Sequence, residues 1–134
     1  MLHPFFEGAE VLSIYTRTQA LEDGVLFDMT QEPFGDLARK CGIKWPVAMT
    51  ATAFHECVAV SDTQGHCGQD IIGRWWDVLM TFRSLRREVS PLEVRWSVFV
   101  HDPDGRQRQK QLKCVSGPDD DGKPCLTFML PNED

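Results

Sequence analysis

Three groups of residues in this sequence have types and spacings that could do chemistry. Arg106, Arg108 and Lys110 alternate with Gln107, Gln109 and Gln111, and Lys113 follows. Alternate residues of a strand share a face, so Arg106, Arg108 and Lys110 would point the same way. Such an arm could hold phosphates or an acidic protein surface; its bland reading is a solvated hairpin tip. The arm is a local exception, because 14 basic against 20 acidic residues give a net charge of −6, which does not favour nucleic acid in bulk. A second group, Tyr15, Arg17, Asp23 and Asp28, could line a small-molecule site; a helix cap, a turn acid and a strand acid account for the same residues more simply. The third, His55, Cys57, His66 and Cys67, has zinc-ligand types without a zinc-site spacing, so no metal is expected.

No nucleotide-binding glycine loop, nucleophile elbow, HExxH pair or dinucleotide fingerprint is present, so no cofactor is expected. The cysteines and hydroxyls have four possible histidine partners, His3, His55, His66 and His101, and sequence does not choose among them. Five scattered cysteines without a CxxC, and an opening without a basic n-region or long apolar stretch, read as reduced thiols of a cytoplasmic protein. No apolar run is long enough for a membrane span.

The element that must position these groups runs over residues 69–87. Ile71, Ile72, Trp75, Val78, Leu79, Phe82 and Leu85 recur at three- and four-residue steps, the stripe of an amphipathic helix. Ser90–Pro91 is expected to end it. Ahead of it lie short pieces: a strand over 10–15; a helix over 17–23, capped by Thr16 and stopped by Gly24; a strand over 25–29. A helix follows over 34–42, with Pro33 in its first turn; 43–49 is an edge strand or connector interrupted by Pro46; Thr50 caps a helix over 51–58 whose apolar face is Ala51, Phe54 and Val58.

From Leu92 the period falls to two. Leu92, Val94, Trp96, Val98 and Val100 alternate with more polar residues, and Pro103, Asp104 and Gly105 make a three-residue hairpin loop. That loop pairs Asp102 with Arg106, and hence Trp96 with Leu112 and Val94 with Cys114; a slip of one residue would destroy the apolar match. A second turn at 118–124 leads into a strand over 125–130. The expected architecture is therefore α+β in two layers: an antiparallel sheet of at least three C-terminal strands, packed by one long helix, with short N-terminal strands and helices. At 134 residues the chain is expected to be a single domain, with short segments over 1–68, the core helix over 69–88 and a β-meander over 92–131.

The block SIYTRTQALEDGVLFDMT resembles the opening of a family of small proteins of unknown function, carried on bacterial plasmids, phages and integrated elements. GIKWPVAMTATAFHECV, GQDIIGRWWDVLMTFR and the ending VSGPDDD…LTFMLPNED are similar to its later blocks, with Arg74 departing from an expected aliphatic residue. The resemblance implies an accessory role on a mobile element and brings no catalytic residue with it. The expectation is a non-enzymatic protein that binds a host or element protein, with local nucleic-acid contact as a lesser possibility, through Arg106, Arg108, Lys110 and Lys113. The alternative is a small enzyme acting on a nucleotide or nucleic acid through Tyr15, Arg17, Asp23 and Asp28. Oligomeric state is not legible.

Overall fold

In the computed structural model, which describes residues 16–61 and 70–133, the chain forms ten elements. The first five are α1 (Arg17–Glu22), β1 (Leu26–Asp28), α2 (Phe34–Lys40), β2 (Val47–Thr50) and α3 (Ala51–Cys57). After residues 62–69 come α4 (Ile71–Leu85), β3 (Arg87–Ser90), β4 (Glu93–His101), β5 (Gln107–Pro118) and β6 (Pro124–Met129). The result is α+β with one six-stranded sheet in the order β1-β2-β6-β5-β4-β3.

Period-two alternation sets the register of the central hairpin as the sequence predicts. Val94 faces Cys114, Trp96 faces Leu112 and Val98 faces Lys110. The loop closes through Asp102 N–H to Arg106 O and Gly105 N–H to Asp102 O, both 2.9 Å. Gly105 takes a φ of +83°, a conformation that an L side chain would strain.

The sheet differs from expectation in composition and in sense. It is mixed, and its strands are not all C-terminal: β1 pairs antiparallel with β2, and β2 pairs parallel with β6. Residues 47–50 therefore form an interior strand, not an edge, while 43–46 are the connector that the sequence allowed. Pro46 does not forbid this, because pairing starts at Val47 and the Pro46 carbonyl still accepts from Leu126 N–H at 2.9 Å. The expected strand over 10–15 lies outside the described residues.

The helix α4 spans its apolar pattern but is shorter than the expected 69–87. Asp70 caps it, accepting from Gly73 N–H at 2.5 Å, and Arg86 is already extended at φ −63°, ψ 142°. The next four residues pair with the outer edge of β4 as β3, which gives backbone groups partners that a further helical turn would have left on the strand edge. Ile71, Ile72, Leu85 and Leu92, expected inside, are 38%, 39%, 56% and 60% exposed. The buried stripe is instead Arg74, Trp75, Val78, Leu79 and Phe82. On α3 the buried positions are Ala53 and Cys57, not the expected Ala51 and Phe54.

The core gathers aromatic rings. Phe128 on β6 meets Trp75, Phe82 and Trp96 at centroid separations of 5.7, 5.1 and 5.1 Å, and Phe82 meets Trp96 at 5.0 Å. From α2, Phe34 adds a carbonyl that accepts from the Trp75 indole at 3.1 Å. The approach of α2 needs Gly35, because any Cβ there would overlap the Thr30 carbonyl. On the reverse face α1 reaches Thr127, which alternates with the inward Leu126 and Phe128.

Candidate functional site

At the hairpin tip, Arg106 just before β5 and Arg108 and Lys110 within it lie along one face, while the β4–β5 loop and α3 bring acids to meet them. Arg108 Nη2 donates to Asp104 Oδ2 at 2.6 Å, and its Nε sits 3.1 Å from Asp102 Oδ2, near enough to pair in charge without hydrogen-bond geometry. Lys110 Nζ lies 3.4 Å from both Glu56 Oε1 and Asp102 Oδ1. The Asp104 carboxyl is held below its ordinary range, first by the Arg106 backbone N–H and then by the nearby guanidinium groups. Mutual repulsion among the cations is thus relieved within the chain. Only Arg106 of the three has no acidic partner among the described residues. Lys113 stands apart: an odd position on the opposite face, paired in register with Arg95 and Met129 and 8% exposed.

The reverse face of that hairpin has another character. Phe99, 59% exposed, is cross-strand to Gln109, and Gln107 and Gln111 lie exposed on either side. None of the three glutamine side chains has a hydrogen-bond partner among the described residues. Sequence reading singled out the cations and did not name the exposed Phe99 that lies among these glutamines.

The second predicted group is partly assembled. Arg17 and Asp28 line one cavity of about 340 Å³ with Thr30 and Asp119, Asp120 and Asp121. Asp23 does not line it, and Tyr15 lies outside the described residues. The polar groups in it are occupied by the fold. Arg17 donates to Thr127 Oγ1 at 2.7 Å and to the Leu126 carbonyl at 3.0 Å. Asp120 accepts from the backbone N–H groups of Arg17 and Thr18, both 2.9 Å, and from the Thr18 hydroxyl at 2.5 Å. A carboxylate is thereby seated on the orphan donors of a helix start, and those bonds hold Asp120 well below the usual carboxylate range. Asp28 accepts from Thr30 N–H at 2.9 Å, and Asp119 from Asp121 and Lys123, both 2.9 Å. The opening block that carries the family resemblance is, in the structure, a latch between α1 and the β5–β6 turn.

Of the zinc-type residues, His66 and Cys67 lie outside the described residues. Cys57 is fully buried, and burial first, then Glu56, pushes its thiol up to about 12. His55 packs edge-on to Phe27 and Phe54 at 5.8 and 5.9 Å. Among the described residues no cluster of three His, Cys, Asp or Glu side chains could hold a metal ion.

Arg74 is the buried charge that sequence reading missed. It is 3% exposed and donates to the carbonyls of Glu56, Cys57 and His101 at 3.1, 3.1 and 2.8 Å. It therefore caps the end of α3 and ties it to the end of β4, below the hairpin arm. Its place on the face of Trp75 and Val78 was the available signal.

Fold and site together define a small α+β protein in which two of the hairpin cations, Arg108 and Lys110, are met by acids of the same chain. A family of unknown function, DUF6573, matches residues 2–134, and the chain belongs to that family. No curated protein and no solved structure matches it. No helix among the described residues is long and apolar enough to cross a membrane.

Proposed function

We propose that this chain is a non-enzymatic accessory protein, of the mobile-element kind that the resemblance implies, and that it binds a host or element protein through the β4–β5 hairpin. The observation that carries the reading is Phe99, 59% exposed and set among three exposed glutamines. A large aromatic anchor ringed by polar groups is the composition of protein interface hot spots. Arg106, at the tip, adds a cation free to meet an acid. A protein is favoured over a nucleic acid because Arg108 and Lys110 are already neutralised, so phosphates would have to displace Asp102, Asp104 and Glu56. The enzyme alternative draws little support: Arg17 is spent on β6, and Asp120 is engaged by the Arg17 and Thr18 backbone N–H groups and the Thr18 hydroxyl, which lower its pKa and do not raise it as a general acid would need.

The test is capture from a bacterial host lysate with mass spectrometry, comparing wild type with Phe99→Ser and Arg106→Ser. Both positions are exposed, so each change should cost under about 0.5 kcal/mol and leave the Tm nearly unmoved. Phe99→Ser should abolish capture of a specific partner and Arg106→Ser should slow its association. If Phe99→Ser captures every partner as wild type does, the hairpin is not the contact.

A further inference from the structure

At one end of the core the two layers do not close. The floor of a cavity of about 430 Å³ is the sheet, at Cys114, Ser116 and Leu126. One wall is the C-terminal end of α4, with Phe82 and Arg86; the other is the connector between α2 and β2, with Lys44 and Trp45 at its rim. Trp45 is 47% exposed, an unusual position for an indole in a chain that buries Trp75 and Trp96 almost completely. The Arg86 guanidinium lies 4.7 Å over the Phe82 ring and within 3.5 Å of the Phe82 carbonyl. Neither Arg86 nor Lys44 has an acidic partner among the described residues. Both border the same cleft, unlike Arg108 and Lys110, which acids meet at the hairpin tip. The floor carries no charge of its own: burial pushes the Cys114 thiol up to about 12 and raises that of Cys41.

From this geometry we infer that the cleft is a binding site for a small organic anion with a flat hydrocarbon body, the body lying on Leu126 under Trp45 and the anionic head meeting Arg86 and Lys44. The volume falls in the range of small-molecule sites, and the mix of apolar lining with a few convergent polar groups is their usual composition. An anionic head suits the two exposed cations at the mouth, which have no carboxylate within ion-pair distance among the described residues. The body should be hydrocarbon, not a nucleobase, because Ser116 is the single side-chain hydroxyl lining the cleft and the edges of a base would go largely unmatched. The site is independent of the hairpin contact proposed above.

The test uses a matched pair of probes on the full chain. 1-Anilinonaphthalene-8-sulfonate supplies body and anion; N-phenyl-1-naphthylamine supplies the same body without the charge. The sulfonate should bind one to one, about tenfold more tightly than the amine, with amide NMR shifts concentrated at Cys114, Ser116 and Leu126. Arg86→Gln and Lys44→Gln, both exposed, should each weaken the sulfonate about threefold and leave the amine unchanged. Trp45→Ala should weaken both probes, and adenosine 5′-monophosphate should bind less well than the sulfonate. Equal binding of sulfonate and amine, or a sulfonate affinity indifferent to both glutamine substitutions, overturns the inference. Tighter binding of the nucleotide overturns it as well, since the body would then be of the wrong class.

Discussion

Arg74 shows how a single side chain can carry a junction. Three carbonyls at the end of α3 and the end of β4 depend on its fork of donors, and burial works against its charge. Arg74→Met keeps much of the volume but orphans those carbonyls, so it should cost on the order of 3 kcal/mol or more in urea denaturation. Arg74→Lys should recover only part of this, because one ammonium cannot serve three directions. Asp120 makes a prediction with a sign. Its folded pKa lies below the ordinary 3.8, so its contribution is fully present above that value and is lost as pH falls through the folded pKa. Asp120→Asn should therefore melt below wild type at neutral pH, and the gap should narrow as pH falls below 3.8; a gap that did not change with pH would deny the latch. At this scale the sequence was legible where bonds are local. Thr16 caps α1 as read, since it and Gln19 are three residues apart. The partnership of Asp120 with Arg17 and Thr18 was not, because no pattern along the chain announces contacts across a hundred residues.

The elements divide in the same way. The β4–β5 register could be worked out from a three-residue loop and the requirement that apolar residues meet, and the structure has it pair for pair. The end of α4 could not. Arg86, Arg87 and Glu88 are acceptable to a helix, and only the unpaired edge of β4 made the extended course the better one. The inner stripe of α4 was mostly visible, and it carries a direct test. Phe82 is 8% exposed and touches the rings of Trp96 and Phe128, so Phe82→Ala should cost roughly 3–5 kcal/mol by urea or thermal melting. A variant that melted like wild type would mean those rings contribute little to the core.

For the molecule as a whole, charge and topology were unequally readable. The excess of acids, −6 in total, was plain from the sequence, and so was the anomaly of the arm; that Asp102, Asp104 and Glu56 would settle on Arg108 and Lys110 required the fold. The antiparallel C-terminal strands followed from short turns, whereas the entry of β1 and β2 into the same sheet left no local trace. Parallel partners share no turn, and a strand of four residues is too brief to declare its neighbours. The candidate sites follow suit. Arg17 and Asp28 were named from composition and do share a cavity, while the cleft under Trp45 combines residues from the connector, α4, β5 and β6.

The parallel seam between β2 and β6 has a consequence for how the chain is made. Val47 waits for Leu126, and Met49 for Phe128, so the middle of the sheet cannot zip until β6 has left the ribosome. Until then β2 holds an open edge of backbone donors and acceptors, with only β1 beside it. Contacts so distant along the chain make for slow folding, and the nascent protein passes through that interval with a sticky strand uncovered. A message cut short within β6 would yield a product that keeps its hairpin and long helix yet can never close, and such a product is headed for aggregation.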